Sequence, residues 1–249
     1  IHPFPVYSAS SEDADRSTLP DVGDFPILRF PDLEKATLTN GMKVILAERH
    51  DIPVVDFNWL FDAGYAADQF GLPGTASMAM GMLDEGTKMR SALEISAEKD
   101  RLGANLWSGS GLDICNVRLS ALKENLDESL ALAADVILNP VFPEDELARL
   151  KKQRMAQIRQ EKVRPFSMAL RVFPQLLYGE NHAYSNPLTG SGTEASTMAM
   201  TRKDLADFHK TWLQPNNLTL VVVGDITLEE LLPKLECSCC RRTGCCCRC

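Results

Sequence analysis

A chain of 249 residues that is 45% hydrophobic carries enough apolar material for one full core or two small ones. Its formal net charge of -8, without any broad basic stripe, excludes a nucleic-acid binder. No apolar run reaches the length of a membrane span.

The chain opens on Ile1, which fits either removal of a leader or a fragment. Of its eight cysteines only Cys115 lies in the body, and the rest crowd into the last 13 residues, CSCCRRTGCCCRC. A body with one cysteine is not a disulfide scaffold. The tail suits soft metals through its thiolates, yet it breaks abruptly into an amphipathic run, so a sequence artefact or a disrupted reading frame is the preferred explanation. Three segments follow: an extended lead-in over 1–34, one folded domain over 35–236, and the Cys-rich tail of doubtful origin over 237–249.

The lead-in is rich in Pro, Ser and Asp, with no helical or strand period. Asn40-Gly41 between Ala36–Thr39 and Met42–Glu48 predicts a hairpin, with His50 in an exposed turn beyond it. VVDFNWLF after Pro53 predicts a third strand. Gly71 to Thr87, GLPGTASMAMGMLDEGT, predicts one short helix with Gly86 at its C-terminal end. Ser77, Met80 and Gly81 then share a face, and the Met78, Met80, Met82 run reads as core packing. Ser91 to Leu102 predicts a helix whose Ser91 and Glu94 form a capping box and which Gly103 ends. Ala104–Ser110 and Leu112–Leu119 predict two strands.

Leu126, Leu130, Ala133 and Ile137 mark a helical stripe. A long charged helix follows from Glu144 to about Val163, its mixed charges, Arg149 and Arg154 among them, reading as a solvated face. Helical character resumes over Phe166–Tyr178, and GENHAYSNPLTGSG is a loop. Thr201–Leu213 predicts a helix, LTLVVVGDI a strand, and Thr227–Glu236 a last helix. His182 and His209 are the downstream candidate metal ligands, but neither has an acid or second His at helical ligand spacing.

These segments, taken in order, resemble an N-terminal domain of the pitrilysin/insulinase zinc metallopeptidases from about Lys35 to Glu236. The opening hairpin is similar to the family's L-x-N-G-x-x-V, and His182, Tyr184, Pro187 and Gly190 match H-P-Y-x-x-P-x-x-G. In that family a helix carries the inverted motif His-x-x-Glu-His in a frame like GLxHxxEHMxxxGT. Setting Gly86-Thr87 on the closing Gly-Thr puts Ser77, Met80 and Gly81 on the first His, the catalytic Glu and the second His. The third ligand, a Glu in a run like EEIxxxxxxP, falls on Gln157, with Ile158 and Pro165 at matching positions. Zinc takes imidazole or carboxylate donors at about 2 Å, and its water needs a carboxylate to accept a proton. Serine is a poor ligand, Met a soft thioether, and Gly has no side chain.

The resemblance therefore implies an α+β fold, an antiparallel-dominated mixed sheet with helices packed on one face, and a non-catalytic member. It implies no cofactor for this chain, zinc being expected only in a homologous zinc-bearing peptidase subunit that would be its partner. Peptides are the other expected partners, held along the strand LWSGSGLD through Trp107, Ser108, Gly109 and Ser110, because the family pairs extended peptides with an exposed edge there. Trp107 serves as an anchor if that edge is open and as ordinary packing if it is covered. An exported compartment such as a bacterial periplasm is the expected location. The alternatives are an active peptidase with an unrecognised ligand set and a structural assembly subunit.

Overall fold

A computed structural model describes Gly23 and residues 31–239. The rest of the lead-in, up to residue 30, and the tail from residue 240 lie outside the described residues.

Asn40-Gly41 does make a hairpin of β1 (Leu33–Thr37) and β2 (Lys43–Glu48), with Leu33 opposite Ala47 and Thr37 opposite Lys43. Gly41 takes a φ of +88°, which the turn requires and a side chain would resist, and the Asn40 carboxamide oxygen accepts from the Met42 N–H at 3.1 Å. With β3 (Val54–Phe61), β4 (Asn105–Ser110), β5 (Cys115–Leu122) and β6 (Leu218–Gly224) these strands form one sheet in the order β1-β2-β6-β3-β5-β4. Only β2 and β6 run parallel. The strand nearest the C-terminus thus lies in the middle of the sheet, which explains the density of branched residues in LTLVVVG.

Alternation decides which face is buried. Val55, Phe57, Trp59 and Phe61 of β3 point inward while Asp56 is exposed, and Phe57 stacks on Trp59 with ring centroids 5.5 Å apart. Against that face pack α1 (Thr75–Gly81), α2 (Ala92–Leu102), α3 (Leu126–Leu138), α7 (Arg202–Trp212) and α8 (Leu228–Cys239). The stripe Leu126, Leu130, Ala133 and Ile137 of α3 is buried as its period predicts. The capping box of α2 also forms: the Ser91 N–H donates to Glu94 at 2.7 Å, and Gly103 ends the helix at φ +61°.

Two expectations are corrected. The predicted helix over Gly71–Thr87 shortens to α1, ending at Gly81, and Gly86 instead bridges to Ser91 in extended pairing. The last helix continues past Glu236 to Cys239. A short helix, α6 (Glu194–Ala199), lies between the predicted loop and the helix after it, its start fixed by Thr193, whose hydroxyl accepts from the Ser196 N–H at 3.0 Å.

Of the next two helices the first buries Leu147 in the core and the second leaves most of its apolar side chains exposed. α4 (Glu144–Val163) runs into α5 (Pro165–Tyr178), the proline giving the break. On α5 the apolar side chains Phe166, Phe173, Leu176 and Leu177 share one face, and that face is exposed: Phe166 to 76% and Leu176 to 79%. Among the described residues no helix is long and apolar enough to cross a membrane.

Candidate functional site

The site is built where α1 faces α4. Gly74, at φ +92°, turns the chain into α1, and the first N–H groups of that helix need acceptors. Asp68 supplies them. Its carboxylate accepts from the Gly74 N–H at 2.7 Å and from the Ala76 N–H at 2.9 Å. Burial outweighs those bonds and pushes its pKa up to about 7.

Seven residues of helix bring Ser77, Met78 and Gly81 to one side, where they face Leu150, Gln153, Arg154 and Gln157 of α4 across a cleft of about 130 Å³. Positions 77, 81 and 157, far apart in sequence, therefore meet. Met80 does not join them. It is fully buried in the core, and its carbonyl accepts from the Ser108 hydroxyl at 2.7 Å. At about 100° per residue, Ser77, Gly81 and Met78 span one arc of the helix, while Met80 falls past its other edge, toward β4. The thioether stays in the apolar layer.

Beside the cleft lies a buried ionic network. Glu161 accepts from Arg171 at 2.6 Å, from the Ser191 hydroxyl at 2.7 Å and from the Gln157 amide at 2.8 Å. Arg171 also donates to the Gly192 carbonyl at 2.7 Å. Burial alone would raise the Glu161 pKa, but the bonds from Ser191, Arg171 and Gln157 hold it below the usual range. Gln157 is thus tied by one N–H to a neighbour on its own helix.

The residues lining the cleft are a hydroxyl, two carboxamides, a guanidinium and apolar groups, with no imidazole or carboxylate. That donor set does not fit zinc, which would meet one poor ligand and a facing cation. Among the described residues no three His, Cys, Asp or Glu side chains gather in a way that could hold a metal ion. The histidines among the described residues lie elsewhere. His209 is buried with Nε2 2.7 Å from the Ile137 carbonyl and its ring edge-on to Phe142. His182 stacks on Tyr178 and accepts from the Tyr184 N–H at 3.1 Å. His50, exposed as expected, is also paired with Asp225 at 2.6 Å.

β4 is the last strand of the sheet, paired with β5 and with no other strand among the described residues. Trp107 on its outer face is 54% exposed, with the Arg118 guanidinium 6.0 Å from its ring centre. Its ring lies across Gly109, where an added Cβ would come within 2.4 Å of it. Ser108 points to the helix side, at the Met80 carbonyl, and the Ser110 hydroxyl donates to the Gly111 carbonyl at 3.3 Å.

Reading Arg154 as part of a solvated face is corrected here. It sits three residues before Gln157, and that spacing, one turn of helix, is the signal that would have turned it into the cleft. Asp68 and Glu161 carry no comparable signal, since their partners come from other elements.

A model of the family described as Insulinase (Peptidase family M16) matches residues 43–185, more than half of the chain, and one described as Peptidase M16 inactive domain matches 199–239. An uncharacterized zinc protease of Rickettsia bellii is 23% identical over 80% of this chain and 48% of its own. The mitochondrial-processing peptidase subunit beta of Rattus norvegicus is 26% identical over 83% of this chain and 41% of its own. The crystal structure of a peptidase M16 inactive domain from Pseudomonas fluorescens matches with a TM-score of 0.79 at 27% identity, covering 83% of this chain and 50% of that one. The chain thus spans about half the length of the curated relatives it matches. With the six-stranded mixed sheet, its helical layer and the α1 cleft in place, the chain belongs to peptidase family M16, the insulinase family.

Proposed function

We propose that this chain is a non-catalytic homologue of the M16 zinc peptidases, which pairs with a zinc-bearing homologous subunit and helps enclose a peptide. The observation that carries the reading is the cleft itself. The positions that the resemblance assigns to two zinc ligands on α1 and one on α4 do converge, yet they are Ser77, Gly81 and Gln157. Met80, assigned to the general base, is buried away from them. A hydroxyl, a missing side chain and a carboxamide neither bind zinc nor take a proton from water.

Pairing is supported by α5. An apolar helix face with Phe166, Phe173, Leu176 and Leu177 in water is costly for a lone domain and suits a subunit interface. The relative named subunit beta belongs to an assembly of more than one chain. The open edge of β4, beside α1, is the place for an extended peptide, with Trp107 as the anchoring side chain.

The test is native purification of the full-length protein, with co-purifying chains identified by mass spectrometry and zinc counted. A homologue with an intact His-x-x-Glu-His, at one zinc per pair, supports the proposal. A lone chain that binds zinc and cleaves peptides overturns it, and a lone chain doing neither points to a scaffold. Phe173→Glu is expected to weaken the pairing by about 1–2 kcal/mol, roughly tenfold. Because the side chain is exposed, the unfolding midpoint of the isolated chain should hardly move. Unchanged pairing would exclude α5 from the interface.

A further inference from the structure

Arg154 is a cation without a matching anion. Its Nη1 lies 3.5 Å from the Gly190 carbonyl, a contact at the outer limit of a hydrogen bond, and it forms no ion pair among the described residues. Burial pulls its pKa down from the ordinary arginine value, as expected for a guanidinium that has lost water without gaining a partner. The acids whose fields reach it are Glu161 and Asp68. Both are engaged elsewhere: Glu161 by Arg171, Ser191 and Gln157, and Asp68 by the first N–H groups of α1.

The rest of the lining points the same way. The Ser77 hydroxyl and the Gln153 carboxamide make no hydrogen bond among the described residues, and Gln157 uses one N–H of its amide on Glu161. Over Gly81 nothing stands within 4 Å of where a Cβ would be, so the floor of the cleft is open. No carboxylate lines it.

We propose that the cleft between α1 and α4 binds a monocarboxylate. The guanidinium of Arg154 takes the two carboxylate oxygens, the Ser77 hydroxyl donates a further bond, and the Gln153 and Gln157 amides flank the group. One charge is the right number. A dianion such as phosphate would meet a single cation with Asp68 and Glu161 nearby, and the second charge would go unmatched. The donor set serves a peptide C-terminus or a small free acid equally, and chemistry on the ligand separates the two. This inference rests on the geometry of the cleft and not on the pairing proposed above.

The experiment titrates the full-length, isotope-labelled protein with sodium acetate, with N-acetyl-trialanine and with the C-terminal amide of the same peptide. The backbone amide signals of Ser77 and Gly81 report occupancy. The acid peptide should shift both signals, and its amide should shift neither. Acetate binding as tightly as the acid peptide assigns a small free acid, and tighter peptide binding assigns a peptide C-terminus. Arg154→Gln should weaken binding about tenfold or more, with Arg154→Lys in between. The proposal is overturned by an equal response to the amide peptide, by the absence of shifts with either acid, or by unimpaired binding in a folded Arg154→Gln protein. Should Arg154→Gln not fold, Arg154→Lys and the acid-against-amide comparison on the unaltered protein decide.

Discussion

Arg171→Met destabilises the protein by about 3 kcal/mol, read from urea unfolding. The side chains of Arg171 and Glu161 are each only 10% exposed, and the guanidinium bonds Glu161, the Ser191 hydroxyl and the Gly192 carbonyl together. Removing the cation leaves a carboxylate that was desolvated on the strength of that partner. The cost is then that of an uncompensated buried charge and not of a lost surface pair. A double substitution, Arg171→Met with Glu161→Met, should recover much of the loss, because replacing both partners removes the stranded charge. The variant Arg171→Met should also gain stability as the pH falls and Glu161 takes up a proton. A loss below about 1 kcal/mol would mean that water reaches the pair.

The second large effect is a dependence of stability on pH, traced to Asp68. Its pKa is about 7 in the folded protein, because burial opposes the charge more than the N–H groups of Gly74 and Ala76 favour it. In the unfolded chain it titrates near 3.8. Between those values the folded state holds the proton and the unfolded state does not, so stability falls as the pH rises from about 4 to 7. The contribution of this one group across the window is up to about 4 kcal/mol. Asp68→Asn should flatten that slope, because a carboxamide takes up no proton in this range. Unfolding curves across the window, for both proteins, check the slope. A carboxyl signal for Asp68 titrating near 4 would show that the helix start has won over burial.

What could be read from the sequence was what local chemistry dictates. Asn40-Gly41 specified its hairpin, Ser91 and Glu94 their capping box, and Leu126, Leu130, Ala133 and Ile137 their buried stripe. Each of these depends on neighbours within a turn or two. The length of α1 could not be read, because the chain after Gly81 leaves the helix for turns set by pairing of Gly86 with Ser91 and of Thr87 with Pro140. Met80 was placed on the same face as Ser77 and Gly81 by spacing alone, but the core behind β4 takes it. Helix α6 was missed because Thr193 and Ser196 sit in a polar stretch that lacks an apolar period. Arg154 among mixed charges is marked only by its place one helical turn before Gln157, and the Glu161 network joins α4 to α5 and to the loop at Ser191, a meeting that no local pattern reports.

We propose that Ser77, Gly81 and Gln157 stand where a zinc site has been lost, and counting zinc tests that proposal. The full-length protein and the variant Ser77→His, Gly81→His, Gln157→Glu would be purified together and their zinc measured per chain. The space above Gly81 accommodates a new side chain, and the three positions already line one cleft. No bound zinc is expected in the unaltered protein, and one per chain in the variant. Stoichiometric zinc in the unaltered protein, or a folded variant that binds none, would contradict it.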